Sequence, residues 1–246
     1  MKARIWLAAT LLAGLLTPRL EGAEGLKGRF SIAFQGGTQS ELSGDLLKPA
    51  SGTLVGKPVT FNSKRYRDVY PPDLWPPARL QGLLGYGIGE RTEIIARGTW
   101  YKADAVGLEV GTLDEKPVYA FFDPYEEVGV EVGLRYYLSS AGRLKSYVAP
   151  VVGARFVAEV LVDFQVPDAG SALLHVPFSA KSTVPVFGLD LGFMFDLGAH
   201  AFVGVDTGLR YQSPPSPLDG LPGFTQIDDS DSRWSSPVVL SIGLRF

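Results

Sequence analysis

From residue 29 onward the chain alternates apolar and polar residues in eight separate stretches, at 29–35, 79–88, 92–102, 128–138, 147–156, 186–195, 201–211 and 238–246. Period two is the mark of a strand with two unlike faces. In the clearest stretch Val128, Val130, Val132, Leu134, Tyr136 and Leu138 oppose Gly129, Glu131, Gly133, Arg135 and Tyr137. The last sets Val238, Leu240, Ile242, Leu244 and Phe246 against Ser241, Gly243 and Arg245. The larger face is uniformly apolar, while the other mixes glycine with ionised groups. A soluble barrel fills its interior with the apolar face and shows water a mixed polar one. Glycine and charge opposite bulky apolar residues suit a barrel turned inside out.

The links alternate as well. Those at 89–91, 139–144 and 196–199 are short, whereas 36–78, 103–127, 157–184 and 212–236 are long. Tight turns therefore gather at one rim and long loops at the other, the asymmetry of a transmembrane barrel with short periplasmic turns. Structureless loops of this length would count against a compact soluble domain. Strand-like runs at 116–122 and 158–166 predict that the hairpins continue beyond the membrane.

The first residues read as an address. Lys2 and Arg4 precede twelve almost unbroken apolar residues, 5–16, which is too short to cross a bilayer as a helix but fits a signal-peptide core. Cleavage near residue 23 is expected, giving a signal peptide at 1–23 and a barrel domain at 24–246. Its removal takes away Lys2, Arg4, Arg19 and Glu21 and moves the formal charge from −3 to −5. No later stretch approaches the roughly 20 apolar residues of a spanning helix. Only a closed barrel remains as a way into lipid, because the backbone has no other means of satisfying its polar groups there.

Composition narrows the chemistry. The absence of cysteine excludes disulfide scaffolds, thiolate metal sites and a lipid-modified N-terminal cysteine. Two histidines, His175 and His200, are too few for a His-rich metal centre, and no cofactor is expected. A net charge of −3 without a basic block argues against nucleic acid as a partner.

The end of the chain, Leu240-Ser241-Ile242-Gly243-Leu244-Arg245-Phe246, resembles the C-terminal strand of Gram-negative outer-membrane proteins. In those proteins the terminal aromatic, here Phe246, is read by the barrel-assembly machinery. The stretch 27–246 looks like the small eight-stranded barrels of the OmpA/OmpX type. Asp68-Val69-Tyr70 and Leu84-Gly85-Tyr86-Gly87-Ile88 through Tyr101 resemble an uncharacterised proteobacterial outer-membrane barrel family. The resemblance implies an architecture and an outer-membrane location but no defined activity. It also implies no peptidoglycan-binding segment after Phe246. Gly133-Leu134-Arg135-Tyr136, Gly208-Leu209-Arg210-Tyr211 and Gly243-Leu244-Arg245-Phe246 repeat one pattern, with the aromatic facing out and the arginine in. With Tyr86, Trp100 and Phe195 these aromatics are expected to form the interfacial girdles.

The inward charges form the candidate site. Glu93 and Arg97 on the third stretch, and Glu131 and Arg135 on the fourth, lie about 13 Å apart within each strand, too far to pair. Antiparallel pairing brings Glu93 to Arg135 and Arg97 to Glu131, and a single register satisfies both. Asp190 and Asp206 are expected at similar depth with Arg155 and Arg210 as counter-ions, and Arg245 completes the set. An eight-stranded barrel is just wide enough for side chains to fill. Charges inside it are tolerated only when paired and hydrogen-bonded.

Other candidates are weaker. His175, near Asp168, Ser171 and Ser179, and His200 beside a short turn carry no recognisable catalytic motif. Asp228-Asp229-Ser230-Asp231-Ser232 offers oxygen ligands but lacks the glycine and terminal glutamate of a calcium loop. The proline-flanked Trp75 reads as a membrane-surface anchor. The sequence thus predicts an all-β, eight-stranded antiparallel up-and-down transmembrane barrel in the outer membrane. Its expected role is structural or surface-presenting, with a lumen plugged by ion pairs. The alternatives are a narrow solute pore and a lipid A- or phospholipid-modifying enzyme. Outer-membrane lipid, lipopolysaccharide and the assembly machinery are the expected partners, and the chain is expected to be monomeric.

Overall fold

The computed structural model describes residues 25–54, 56–72, 79–139, 142–167, 171–218, 227 and 230–246. The expected signal peptide at 1–23 and the Trp75 segment lie outside them. Strands in chain order are β1 (Phe30–Glu41), β2 (Asp45–Leu47), β3 (Ala50–Leu54), β4 (Lys57–Phe61), β5 (Lys64–Arg65), β6 (Arg79–Gly87), β7 (Thr92–Ala103) and β8 (Leu108–Leu113). They continue with β9 (Lys116–Phe122), β10 (Tyr125–Tyr137), β11 (Leu144–Val157), β12 (Val160–Val166), β13 (Ser171–Ser179), β14 (Ser182–Asp196), β15 (Ala201–Gln212) and β16 (Arg233–Arg245). A single-turn helix, α1 (Tyr66–Val69), follows β5.

Eight of these strands close into an antiparallel barrel in the order β1-β16-β15-β14-β11-β10-β7-β6. Each matches one of the alternating stretches, and several run further than the alternation suggested. The pairing of β1 with β16, Ser31 opposite Arg245 through Glu41 opposite Ser235, leaves the barrel without a free edge. None of the described helices is long and apolar enough to cross a membrane.

The polarity runs outward, as expected. Phe34, Val132, Leu191 and Leu240 are 59%, 56%, 51% and 68% exposed, and Leu134 and Ile242 also face away from the axis. Such an exterior is stable only in hydrocarbon, and the fold is that of an outer-membrane barrel. At the short-turn rim the exposed aromatics include Tyr136, Phe195, Phe246 and the tilted pair Phe30–Tyr86, with ring centroids 4.7 Å apart. At the other rim stand Trp100 and the pair Tyr211–Trp234, at 5.3 Å. The three repeats therefore serve both rims, Tyr211 at the outer and Tyr136 and Phe246 at the inner.

The long loops depart from expectation. Strands do form at Lys116–Phe122 and Val160–Val166, but they do not prolong the barrel hairpins. They join strands from the first loop in a separate six-stranded sheet, ordered β13-β12-β9-β8-β4-β3. Three loops thus contribute one hairpin each to a shared cap. Phe61 on β4 and Phe164 on β12 have ring centroids 5.5 Å apart although two strands separate them. A flat sheet would hold these strands about 14 Å apart, so the cap curls around its own core. That core includes Val59, Val110, Val118, Val162 and Phe178, and it continues down to Tyr101, Tyr125, Val157 and Val184 at the barrel mouth.

Candidate functional site: the barrel lumen

Inward positions of the barrel strands carry the side chains that fill the lumen, because alternate residues of each strand point to the axis. Glu93, Arg97, Glu131, Arg135, Arg155, Asp190, Asp206, Arg210 and Arg245 are all at most 5% exposed. Space for the long arginines comes from glycine on the neighbouring strand. A Cβ at Gly129 would lie 1.8 Å from Nη1 of Arg155, and one at Gly188 would lie 2.5 Å from Cδ of Arg210.

Glu131 is the hub. It faces Arg97 across β10 and β7 and accepts from its Nη1 at 2.9 Å. Arg210 grips it with two bonds of 3.2 Å, from Nε and Nη2, and Arg155 donates to it from Nη2. Nη2 of Arg79 stands 4.0 Å away. Arg97 and Arg210 also hold Asp190, at 2.9 and 2.6 Å. Planar guanidiniums with several donors suit this sharing of carboxylates.

Toward the outer mouth, Arg155 pairs with Glu127 at 3.4 Å and Arg233 with Glu127 at 3.1 Å and Glu41 at 3.7 Å. The Arg233 guanidinium lies over two rings, 4.4 Å from that of Tyr125 and 4.7 Å from that of Tyr66. Tyr66 and Val69 reach this place because α1 drops their buried face onto the mouth. Tyr70 packs on Tyr125 at 5.7 Å and donates to the Asp123 carbonyl at 3.1 Å. Burial away from water raises the phenol pKa of both Tyr66 and Tyr70 above the ordinary value.

The short-turn end is filled differently. Leu26, Leu83, Ile95, Tyr137, Tyr147, Val151, Met194 and Phe202 form an apolar cluster inside the barrel. One ion pair runs through it: Arg135 donates to Glu93 at 3.1 Å and stacks on the Tyr147 ring at 4.3 Å. Tyr137 and Ser31 also donate to Glu93, the former at 3.0 Å. Arg245 pairs with Asp196 at 3.4 Å, beside Lys145, which reaches the same carboxylate at 2.6 Å.

Cross-strand arithmetic thus placed Glu93 with Arg135 and Arg97 with Glu131, and the structure has both pairs. Of the counter-ions expected for the aspartates, Arg210 does hold Asp190, whereas Arg155 holds neither aspartate. Asp190 is held by Arg97 together with Arg210, while Asp206 accepts from Gln35 Nε2 at 2.5 Å and makes no ion pair among the described residues. Arg155 turns instead to the glutamates of β10, its neighbouring strand. Glu41, Glu127 and Arg233 were missed because they lie beyond the apolar alternation, in segments read as loops. Arg79 opens the second alternating stretch, on the same face as Gln81, and the pairing of charges expected from the sequence does not include it. Extending each period-two pattern by a few residues reaches Glu41 from Gln35, Glu127 from Glu131 and Arg233 from Arg245.

The remaining candidates stay apart. His175 is exposed at a positive φ of 54°, its backbone N–H donates to Asp163 at 2.6 Å, and its ring lies 4.0 Å from the same carboxylate. Ser179 is buried at the last position of β13, four residues beyond His175, Asp168 is outside the described residues, and His200 lies within hydrogen-bonding distance, 3.1 Å, of the Arg245 carbonyl. Asp228 and Asp229 also lie outside the description, and Asp231 pairs with Lys48 at 2.9 Å. No group of three or more metal-ligating side chains comes together among the described residues.

No family model matches the chain, and neither does any curated protein. Among solved structures it is similar to outer membrane protein OprG from Pseudomonas aeruginosa, at 15% identity over 92% of this chain and 99% of that one, with a TM-score of 0.45. It is also similar to outer membrane protein AlkL, at 14% identity over 94% of each chain and a TM-score of 0.43. A third similarity is to Ail, the attachment invasion locus protein of Yersinia pestis, at 16% identity over 90% of this chain and 100% of that one, with a TM-score of 0.40.

Proposed function

We propose that this outer-membrane barrel is closed and non-catalytic, with its lumen plugged by ion pairs and its curled loop sheet presented to the exterior. The observation that carries the reading is the set of guanidiniums around Glu131. A passage for solutes would need water around these charges, whereas each is at most 5% exposed and is held by opposite charge across the barrel. The tyrosine–Arg233 stopper above, paired with Glu41 and Glu127, and the apolar cluster below support the same conclusion, since buried side chains pack across both ends. A structural or surface-interaction role follows for the cap. Lipid and lipopolysaccharide are the natural neighbours of the aromatic rims, and the exposed terminal Phe246 remains open to the assembly machinery.

Planar-bilayer recording on the refolded chain tests this. The expected trace is silent apart from brief, small openings; a large steady conductance would establish the pore instead. A screen against lipid A and phospholipids is expected to leave their mass spectra unchanged, and a product that disappears in His175→Ala would establish an enzyme.

A further inference from the structure

At the short-turn rim the barrel exposes cations that no carboxylate holds. Lys27 leads into β1, Arg91 lies in the turn between β6 and β7, and Arg143 closes the turn between β10 and β11. All three are exposed, and none makes an ion pair among the described residues. Arg29 beside them has a partner and is left out of the count. Glu90, in the same turn as Arg91, packs its carboxylate against Gly25 and offsets one of the three charges. Further round the rim Lys145 and Arg245 are tied to Asp196, at 2.6 and 3.4 Å. At the outer rim Lys102, two residues from Trp100, is tied to Glu126 at 2.9 Å. Lys27, Arg91 and Arg143 therefore form a sector with uncompensated positive charge.

We propose that this sector binds the headgroup of an anionic phospholipid in the periplasmic leaflet. Its depth is set by the neighbouring apolar residues. Leu144 follows Arg143 directly, Ile88 stands three residues before Arg91, and Phe30 three residues after Lys27, and all three apolar side chains are exposed on the barrel exterior. The cations thus stand where the strands leave hydrocarbon, at the level of lipid phosphates, rather than farther out toward the cell wall. Their backbones are held by the adjoining segments. The Arg91 carbonyl accepts from the Tyr137 N–H and the Arg143 carbonyl from the Asp196 N–H, both at 2.8 Å. Gly28, beside Lys27, donates to the Gly87 carbonyl, also at 2.8 Å. Lys27, Arg91 and Arg143 therefore follow one another on successive segments around the rim. Guanidiniums bind phosphate oxygens in pairs, and each basic residue at an anionic surface adds attraction. A choline lipid offers the same phosphate but cancels it with its own ammonium, so uncompensated positive charge selects a headgroup that is negative overall. Lipopolysaccharide carries such charge only in the opposite leaflet.

The site adds charge selection to the lipid contact read from the aromatic rims, and it holds whether or not the lumen conducts. The probe is dihexanoylphosphatidylglycerol, added to the refolded full chain in maltoside micelles. Saturable amide shifts are expected at Lys27, Arg91 and Arg143 and not at Lys64 and Arg65 in the loops, with weaker binding in high salt. Dihexanoylphosphatidylcholine should leave these amides in place. The double variant Arg91→Gln, Arg143→Gln should lower the affinity for the glycerol lipid by at least about tenfold. If that variant does not fold, the comparison of the two lipids on the wild-type chain decides. Equal shifts from both lipids overturn the charge selection and leave the apolar contact standing, whereas no shift from either overturns both. Undiminished affinity in the double variant, or shifts confined to Lys64 and Arg65, overturns the assignment to this rim. A muropeptide that moves the same amides when the glycerol lipid does not would give the sector to the cell wall instead.

Discussion

Arg97 and Arg210 hold the same two carboxylates. Arg97 lies 2.9 Å from both Glu131 and Asp190, while Arg210 lies 3.2 Å from the first and 2.6 Å from the second. The four side chains, from β7, β10, β14 and β15, close a ring of alternating charge that ties opposite walls of the barrel together. Removing one member leaves buried charge behind, which is the expensive way to break an ion pair.

Glu131→Gln is therefore expected to destabilise the barrel by roughly 3–5 kcal/mol, and by more than Asp190→Asn. The difference arises because Glu131 also holds Arg155, which Asp190 does not. Urea unfolding of both variants, followed by tryptophan fluorescence, checks the order. Equal losses would mean that Arg155 is held adequately by Glu127 alone.

Glu93 and Arg135 provide a cleaner exchange. They stand directly opposite each other and pair beside a largely apolar cluster, outside the Glu131 network. Glu93→Arg and Arg135→Glu should each put two like charges face to face and lower stability by at least ~3 kcal/mol. The double exchange should recover most of that loss. Recovery will be incomplete, since Ser31 and Tyr137 both donate to the native carboxylate. A double variant as unstable as the worse single one would show that the pair contributes no register-specific attraction.

How much of this was readable beforehand follows from where period two is strong. The eight barrel strands are obvious because lipid imposes bulky apolar residues at every second position, as in Val128 to Leu138. Their register at Glu93–Arg135 is readable because a charge inside a narrow barrel must find its opposite. The cap is hidden for the complementary reason. Ala50–Leu54 and Lys57–Phe61 are short, polar and interrupted by Pro58, and they become strands only by pairing with each other and with β8. Nothing local indicates that hairpins from three loops share a sheet. The apolar inner floor was overlooked because Leu83, Ile95, Met194 and Phe202 fall on the face expected to hold glycine and charge.

Leu26 illustrates how that floor is closed. The residue is 5% exposed, its N–H donates to the Glu90 carbonyl at 3.3 Å, and Gly28 donates to Gly87 at 2.8 Å. A Cβ at Gly87 would come within 1.8 Å of the Leu26 carbonyl oxygen, a backbone atom that cannot simply rotate away. Gly87→Ala should displace this segment and leave the barrel intact. Amide exchange at Leu26 and Gly28 is expected to accelerate by at least about tenfold, the equivalent of 1.4 kcal/mol. Unchanged protection would mean that the N-terminal segment is not seated against Gly87.

The phenols of Tyr66 and Tyr70 give the cap an alkaline limit. Burial raises both pKa values, so the unfolded chain loses these protons first as pH climbs past about 10. Their contribution is complete below that value and is lost as pH rises toward the folded pKa. Near pH 11, about one unit above the unfolded value, the native chain should show fewer ionised tyrosines by ultraviolet absorbance than the urea-unfolded chain. Its urea midpoint should also be lower there than at neutrality. Identical tyrosinate counts in the two states would contradict the burial of these rings.

The contact between Phe61 and Phe164 tests whether the cap is a separate cooperative unit. Their rings meet at 5.5 Å across the curled sheet, whose six strands pair with none of the barrel strands. Phe164→Ala removes a large buried side chain, a change that typically costs about 3–5 kcal/mol. That loss should fall on the sheet first, because the barrel closes through its own ladder from β1 to β16. Amide exchange at Val118, Val162 and Phe164 should then rise steeply while Val130 and Val152 stay protected, and proteases should cut between β8 and β13 without releasing barrel strands. Fast exchange spreading down β10 to Glu131 would mean that cap and barrel unfold together, with the Arg233 stopper coupling one to the other.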